Sequence, residues 1–147
     1  MRRRRALLLG LAGAGGLLAG GGLWRSFSGE MQQARARLTG RSEVFEGRFG
    51  AMEYAVVGAG PPVLMIHGTG GGFDQGLAFT TPLVAAGWRV GAPSRFGYLR
   101  SDFPDDPSSE NQADAFVDLL DHLGIGRAPV IGGSAGARSA VALSNPH

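Results

Sequence analysis

Apolar residues along the chain fall into runs whose period changes from one segment to the next. Val63-Leu64-Met65-Ile66, entered through Pro61-Pro62, is unbroken, as a strand buried on both faces requires. Arg127 to Ile131 closes on a shorter apolar run and predicts another strand, and Trp88 to Ala92 a third. Val44 to Val57 alternates loosely around Gly47 and Gly50, which suits two antiparallel strands joined by a turn. Elsewhere the period lengthens. Ala113, Phe116, Val117, Leu120 and Leu123 recur at helical spacing between a capping box, Ser109-Glu110-Asn111-Gln112, and Gly124. The acids of that helix, Asp114, Asp118 and Asp121, are expected on its solvated side, and His122 near its end as a partner for the helix dipole. Gly76 to Ala86 is predicted helical up to Gly87, with Pro82 tolerable only in a first turn or at a kink. A last helix follows Ala135 and stops at Asn145-Pro146.

The first 24 residues follow another pattern: Arg2-Arg3-Arg4-Arg5, then nineteen uncharged residues from Ala6 to Trp24. This is a positive segment before an apolar, glycine-rich one, the layout of an export signal or a single membrane anchor, and it places the bulk of the chain on the extracytoplasmic side. Residues 6–24 are thus a candidate membrane contact, and a start codon set upstream of the true one is the bland alternative. Residues 25–43 are polar and read as a linker, with Met31 to Leu38 able to form a short helix. Composition adds exclusions. The formal charge of +2 rests on the leader: without its four arginines, ten of the fourteen basic residues remain against twelve acidic ones. No basic surface for nucleic acid is implied. Lysine is absent, so there is no Walker A loop, and prolines 61 and 62 stand where a Rossmann helix would start after Gly58-Ala59-Gly60. With no cysteine there is neither a disulfide nor a thiolate metal site, and no residue pattern calls for a metal or cofactor.

Chemistry concentrates in two stretches. Val130-Ile131-Gly132-Gly133-Ser134-Ala135-Gly136 takes a short strand through Gly-x-Ser-x-Gly into small, helix-compatible residues, the pattern of a nucleophile elbow. There the serine sits on a strained turn, and Gly132 and Gly136 leave room that a Cβ would fill. The Ala135 N–H then lies at a helix N-terminus, beside the serine, where it can hold a developing oxyanion. After the strand ending at Ile66 comes His67-Gly68-Thr69-Gly70-Gly71-Gly72-Phe73-Asp74. Strand, His-Gly and glycine-rich loop together resemble the oxyanion loop of the α/β-hydrolase family, and the resemblance runs from about Val44 to the end. Arg95-Phe96-Gly97-Tyr98-Leu99-Arg100-Ser101 is similar to the family's Arg-x-Gly-x-Gly-x-Ser loop, with Leu99 in place of the second glycine.

The resemblance implies an α/β fold, a mostly parallel central sheet flanked by helices, of which residues 44–147 would be the N-terminal half; the uncharged stretch from Ala6 to Trp24 adds an N-terminal hydrophobic helix before it. The resemblance also implies a serine hydrolase acting on a small-molecule ester or related acyl bond. Ser134 is then the nucleophile, Ala135 with Thr69 or Gly70 supplies the oxyanion donors, and His67 and Gly68 have structural roles. The family's acid and base follow the serine in chain order. His147 stands thirteen residues along, about 15 Å away if ten of them are helical, so both partners are expected beyond it. The fifth strand's open edge is expected to pair with a missing C-terminal half. The rival is an inactive, membrane-tethered remnant or binding protein with the same fold.

Overall fold

A computed structural model describes residues 22, 24–33, 36 and 38–145, which fall into two units, Met1–Thr39 and Gly40–His147. In the first, residues 24–33 form helix α1, beginning earlier than the helix expected from Met31; Trp24 and Phe27 meet on it with ring centroids 6.4 Å apart. The leader over 1–24, apart from Gly22 and Trp24, lies outside the described residues. Among the described residues no helix is long and apolar enough to cross a membrane.

In the second unit, strands β1 (Glu43–Gly47), β2 (Gly50–Val57), β3 (Pro62–Ile66), β4 (Arg89–Pro93) and β5 (Val130–Gly132) form one sheet in the order β1-β2-β4-β3-β5. β2 is antiparallel to both β1 and β4, whereas β3 is parallel to both β4 and β5. Four strands therefore point one way and β2 alone runs against them. Helices α2 (Phe73–Ala85), α3 (Ser109–His122) and α4 (Gly136–Ser144) provide the crossovers and cover the faces.

The two-residue period of β3 divides the core. Leu64 and Ile66 join Phe45, Tyr54, Phe116 and Leu119 beneath α3 and α4, while Val63 and Met65 join Val90 and the α2 residues Leu77, Leu83 and Val84 on the opposite face. Phe116 and Leu119 are fully covered, each worth about 1.5–3 kcal/mol of apolar burial.

Local chemistry differs from the sequence expectation in four places. α2 starts at Phe73, so Pro82 lies inside it rather than in a first turn. Proline withholds the N–H that the Ala78 carbonyl would receive, and Thr81 Oγ1 donates to that carbonyl instead, at 3.2 Å. α3 is capped by Ser108, whose Oγ accepts from Asn111 N–H at 3.3 Å, one residue ahead of the expected box. Gln112, freed from capping, is buried and accepts from Phe96 N–H through Oε1 at 2.7 Å. Asp118 is not a plain solvated acid: Arg48 Nη2 reaches its Oδ1 at 2.6 Å, tying the β1–β2 turn to α3. Burial alone would raise that carboxyl, and the Arg48 hydrogen bonds and charge outweigh it and hold it below the usual range. His122, expected to face the helix end, stacks on Phe45 at 5.0 Å and bonds Tyr54 Oη at 3.1 Å. The Tyr54 hydroxyl is pushed up to about 12, first by burial and then by its hydrogen bond to Glu43.

Candidate functional site

The chain leaves β3, crosses through α2 to β4 on one side, then returns through α3 past β3 to β5 on the other. At this reversal the segments leaving β3 and β5 diverge to opposite faces and open a crevice at the carboxyl ends of the strands, where open α/β sheets bind ligands. His67 to Gly72 leaves the end of β3 and Gly133 to Ala135 the end of β5, and Gly133 N–H bonds the Ile66 carbonyl at 2.9 Å, holding the two ends together.

Ser134 is exposed and has a φ of 48°, in the left-handed region that side chains seldom enter. Its neighbours leave no space. A Cβ on Gly132 would lie 2.6 Å from Ala137 Cα, and one on Gly136 would lie 2.5 Å from the His67 carbonyl oxygen. The strand-to-helix turn can therefore close only with glycine at both positions. Ala135 caps α4, and no hydrogen bond among the described residues uses its N–H or the Ser134 hydroxyl.

The β3 loop lies against that turn: a Cβ on Gly68 would stand 3.2 Å from Ser134 Cβ. Thr69 and Gly70, the expected oxyanion donors, are exposed beyond it. His67 is fully covered, and both of its nitrogens are engaged. Arg95 N–H donates to Nε2 at 2.9 Å, which puts the ring proton on Nδ1, 2.6 Å from the Gly68 carbonyl. Burial, with the nearby Arg95 charge, pushes the imidazole down to about 4 against the opposing hydrogen bond to Gly68. A neutral ring with no free nitrogen holds a loop and takes no proton from a serine.

Three supporting residues were not singled out as site residues from the sequence. Gln75, in the first turn of α2, accepts from Gly68 N–H through Oε1 at 2.8 Å and fixes the loop's entry. Arg95 donates from Nη2 to the Gly68 carbonyl at 3.1 Å and lies over the Tyr98 ring at 5.0 Å. Leu99, in the glycine position of the Arg95 loop, takes a φ of 53°, and a Cβ on Gly72 would stand 2.5 Å from its Cδ1. Gln75 shares the first turn of α2 with Asp74, so no local signal in the sequence set it apart.

A cavity of about 420 Å³ opens beside the elbow, bounded by Arg95, Tyr98, Gln112, Ala135 and Arg138. Neither described histidine faces Ser134, because His67 is locked in the β3 loop and His122 lies under β1 and β2. His147 lies outside the described residues. Among the described residues no group of three or more acids and histidines is placed to hold a metal ion.

Residues 61–145 match the family model described as alpha/beta hydrolase fold. Among curated proteins, the uncharacterized hydrolase YcgS of Bacillus subtilis is 36% identical over 101 residues, which is 69% of this chain and 34% of that protein. A 2-hydroxy-6-oxononadienedioate/2-hydroxy-6-oxononatrienedioate hydrolase of Paraburkholderia xenovorans is 43% identical over 91 residues, 57% of this chain and 32% of the relative. Among solved structures, an alpha/beta hydrolase fold protein from Nakamurella multipartita superposes with a TM-score of 0.67 at 36% identity, covering 70% of this chain and 36% of the other. The chain thus spans about a third of the length of the curated relatives it matches.

Proposed function

The chain belongs to the α/β hydrolase fold family, and on that premise we propose that it carries the nucleophile and oxyanion elements of a serine hydrolase acting on a small-molecule ester or related acyl bond. The observation that carries this reading is the backbone of Ser134, a φ of 48° on an exposed turn between β5 and α4. Such strain persists only where the surroundings enforce it, and here it lifts a hydroxyl to the open end of the sheet.

Ser134 Oγ would bond to the acyl carbon as its proton passes to a base. The oxyanion would lie between the N–H groups of Ala135 and of Thr69 or Gly70; the alcohol would leave with the proton, and water would then release the acid. We place the base and its acid partner in polypeptide outside the described residues, and assign the open edge of β5 to pairing with that polypeptide. A serine at the elbow argues against relatives whose nucleophile is aspartate. Arg2 to Arg5 and the uncharged stretch after them support an exported or membrane-anchored protein with its bulk on the extracytoplasmic side.

A second reading, a tethered, inactive hydrolase-fold protein that only binds, is favoured by the lack of a described histidine facing Ser134. Fluorophosphonate labelling of the protein purified at its natural length separates the two. The hydrolase reading expects a covalent adduct that Ser134→Ala abolishes; no adduct supports the binding reading, and an adduct that survives the substitution puts the nucleophile elsewhere.

A further inference from the structure

The cavity beside the elbow has a mixed wall, which includes the apolar Phe96, Phe103 and Pro107 and the basic Arg95 and Arg138. No aspartate or glutamate lines it, and neither arginine forms an ion pair among the described residues. The Arg95 guanidinium spends its hydrogen bonds on neutral partners, the Gly68 carbonyl and Tyr98 Oη, so its charge is uncompensated. Arg138 is exposed one helical turn after Ser134, on the first turns of α4, whose N-terminus adds positive partial charge at Ala135.

The wall also holds more donors than acceptors. Ser108 Oγ accepts from Asn111 N–H, which leaves its own proton to give. Gln112 Oε1 is taken by Phe96 N–H, and Gln112 Nε2 and Arg95 Nε are buried with no acceptor. A cavity of about 420 Å³ falls within the size of small-molecule sites, generally a few hundred Å³ or more. Two uncompensated guanidinium charges, spare donors and apolar residues in the same lining favour an aliphatic or aromatic group that ends in a carboxylate.

We propose that this cavity is the specificity subsite for a carboxylate carried by the substrate, with Arg138 as its principal ligand, so that the acyl substrates are anionic. The proposal rests on the reading of Ser134 as nucleophile only for its kinetic readout, since the subsite itself is a binding property. Arg138 determines specificity here and takes no part in bond making.

The protein at its natural length is given 4-nitrophenyl hemiglutarate and its neutral counterpart 4-nitrophenyl pentanoate, and glutarate binding is followed by calorimetry. The expected ratio of kcat/KM, anionic over neutral, is at least tenfold. Arg138→Gln lowers that ratio and the glutarate affinity about tenfold or more, and Arg138→Lys restores a good part of both. Arg127→Gln, at the far end of β5, changes neither. A ratio near one in the unaltered protein, or a ratio and glutarate affinity indifferent to Arg138→Gln, overturns the subsite. If neither ester is cleaved while glutarate binds in an Arg138-dependent way, the subsite stands and the hydrolase reading fails.

Discussion

At the scale of single residues, Ser134 and His67 are held in states that their side chains alone would not choose. A left-handed backbone costs a residue with a Cβ about 1–2 kcal/mol, and glycine almost nothing. Ser134→Gly is therefore expected to unfold at higher denaturant than Ser134→Ala, by about 1 kcal/mol, although both lose the hydroxyl. Equal stability would mean that the turn is relaxed. His67 gives a signed pH effect. Its folded value is about 4 against 6.5 ordinarily, so between those values the unfolded chain takes a proton that the folded chain refuses. The associated stability is full above about pH 6.5 and drains as pH falls toward 4, up to about 3 kcal/mol. His67→Gln has no such proton to take. In urea unfolding, the stability gap between the unaltered protein and His67→Gln should narrow from pH 7 to pH 4.5, and a constant gap would show that His67 is not kept neutral. Ser134, Gly132 and Gly136 were legible in the sequence as a spacing; the contact that demands glycine at 132 is local, with Ala137, whereas the one at 136 is with the Ile66 and His67 carbonyls, about 70 residues earlier. The work of Arg95 was not legible, because its partners His67 and Gly68 lie some 27 residues earlier and only the fold brings them together.

At the scale of elements, glycine decides how closely α4 can approach the sheet. A Cβ on Gly132 meets Ala137 Cα at 2.6 Å and Ala140 Cβ at 2.8 Å, backbone and short side chain that cannot swing away. Gly132→Ala should cost about 1–3 kcal/mol in denaturant unfolding, as overpacked interiors generally do. A loss below a few tenths would mean that α4 slides freely. The α3 cap gives a sharper test of adjacent serines: Ser108→Ala should cost about 1 kcal/mol, and Ser109→Ala, already inside the helix, much less. The reverse order would restore the cap that the sequence suggests. Only Ser109 has a glutamine three residues on, and what overrides that pattern is Gln112 itself, recruited by the Phe96 N–H 16 residues away. The same tertiary pull turns the face of α3. Leu119, outside the apolar repeat read from the sequence, is fully buried, and Val117, inside it, is 39% exposed. The strands β3 and β4 were read more faithfully, since a buried run depends little on its neighbours' identity, whereas the strand expected over Arg127 to Ile131 is only Val130–Gly132, a half-exposed run that begins after Pro129.

At the scale of the whole molecule, the order β1-β2-β4-β3-β5 has no local cause, and the sequence reading held only a mostly parallel sheet, implied by family resemblance. Once set, it explains both the site and a weakness. The reversal about β3 that opens the crevice also leaves β5 with β3 on one side and, among the described residues, no strand on the other. β5 is short, three residues, but it pairs with β3, whose residues 63–66 are buried, and Ile131 beside Met65 is 39% exposed. An open edge with an uncovered β-branched side chain is a template for another strand, and natural edges are blunted by lysine, which this chain nowhere uses. The 147-residue polypeptide on its own should accordingly self-associate with rising concentration in sedimentation velocity, and Ile131→Lys should shift it toward monomer while leaving its circular dichroism unchanged. A polypeptide that sediments as a monomer at every concentration would show that the β5 edge is already satisfied. It would also remove the structural ground for assigning that edge to the polypeptide that carries the base for Ser134.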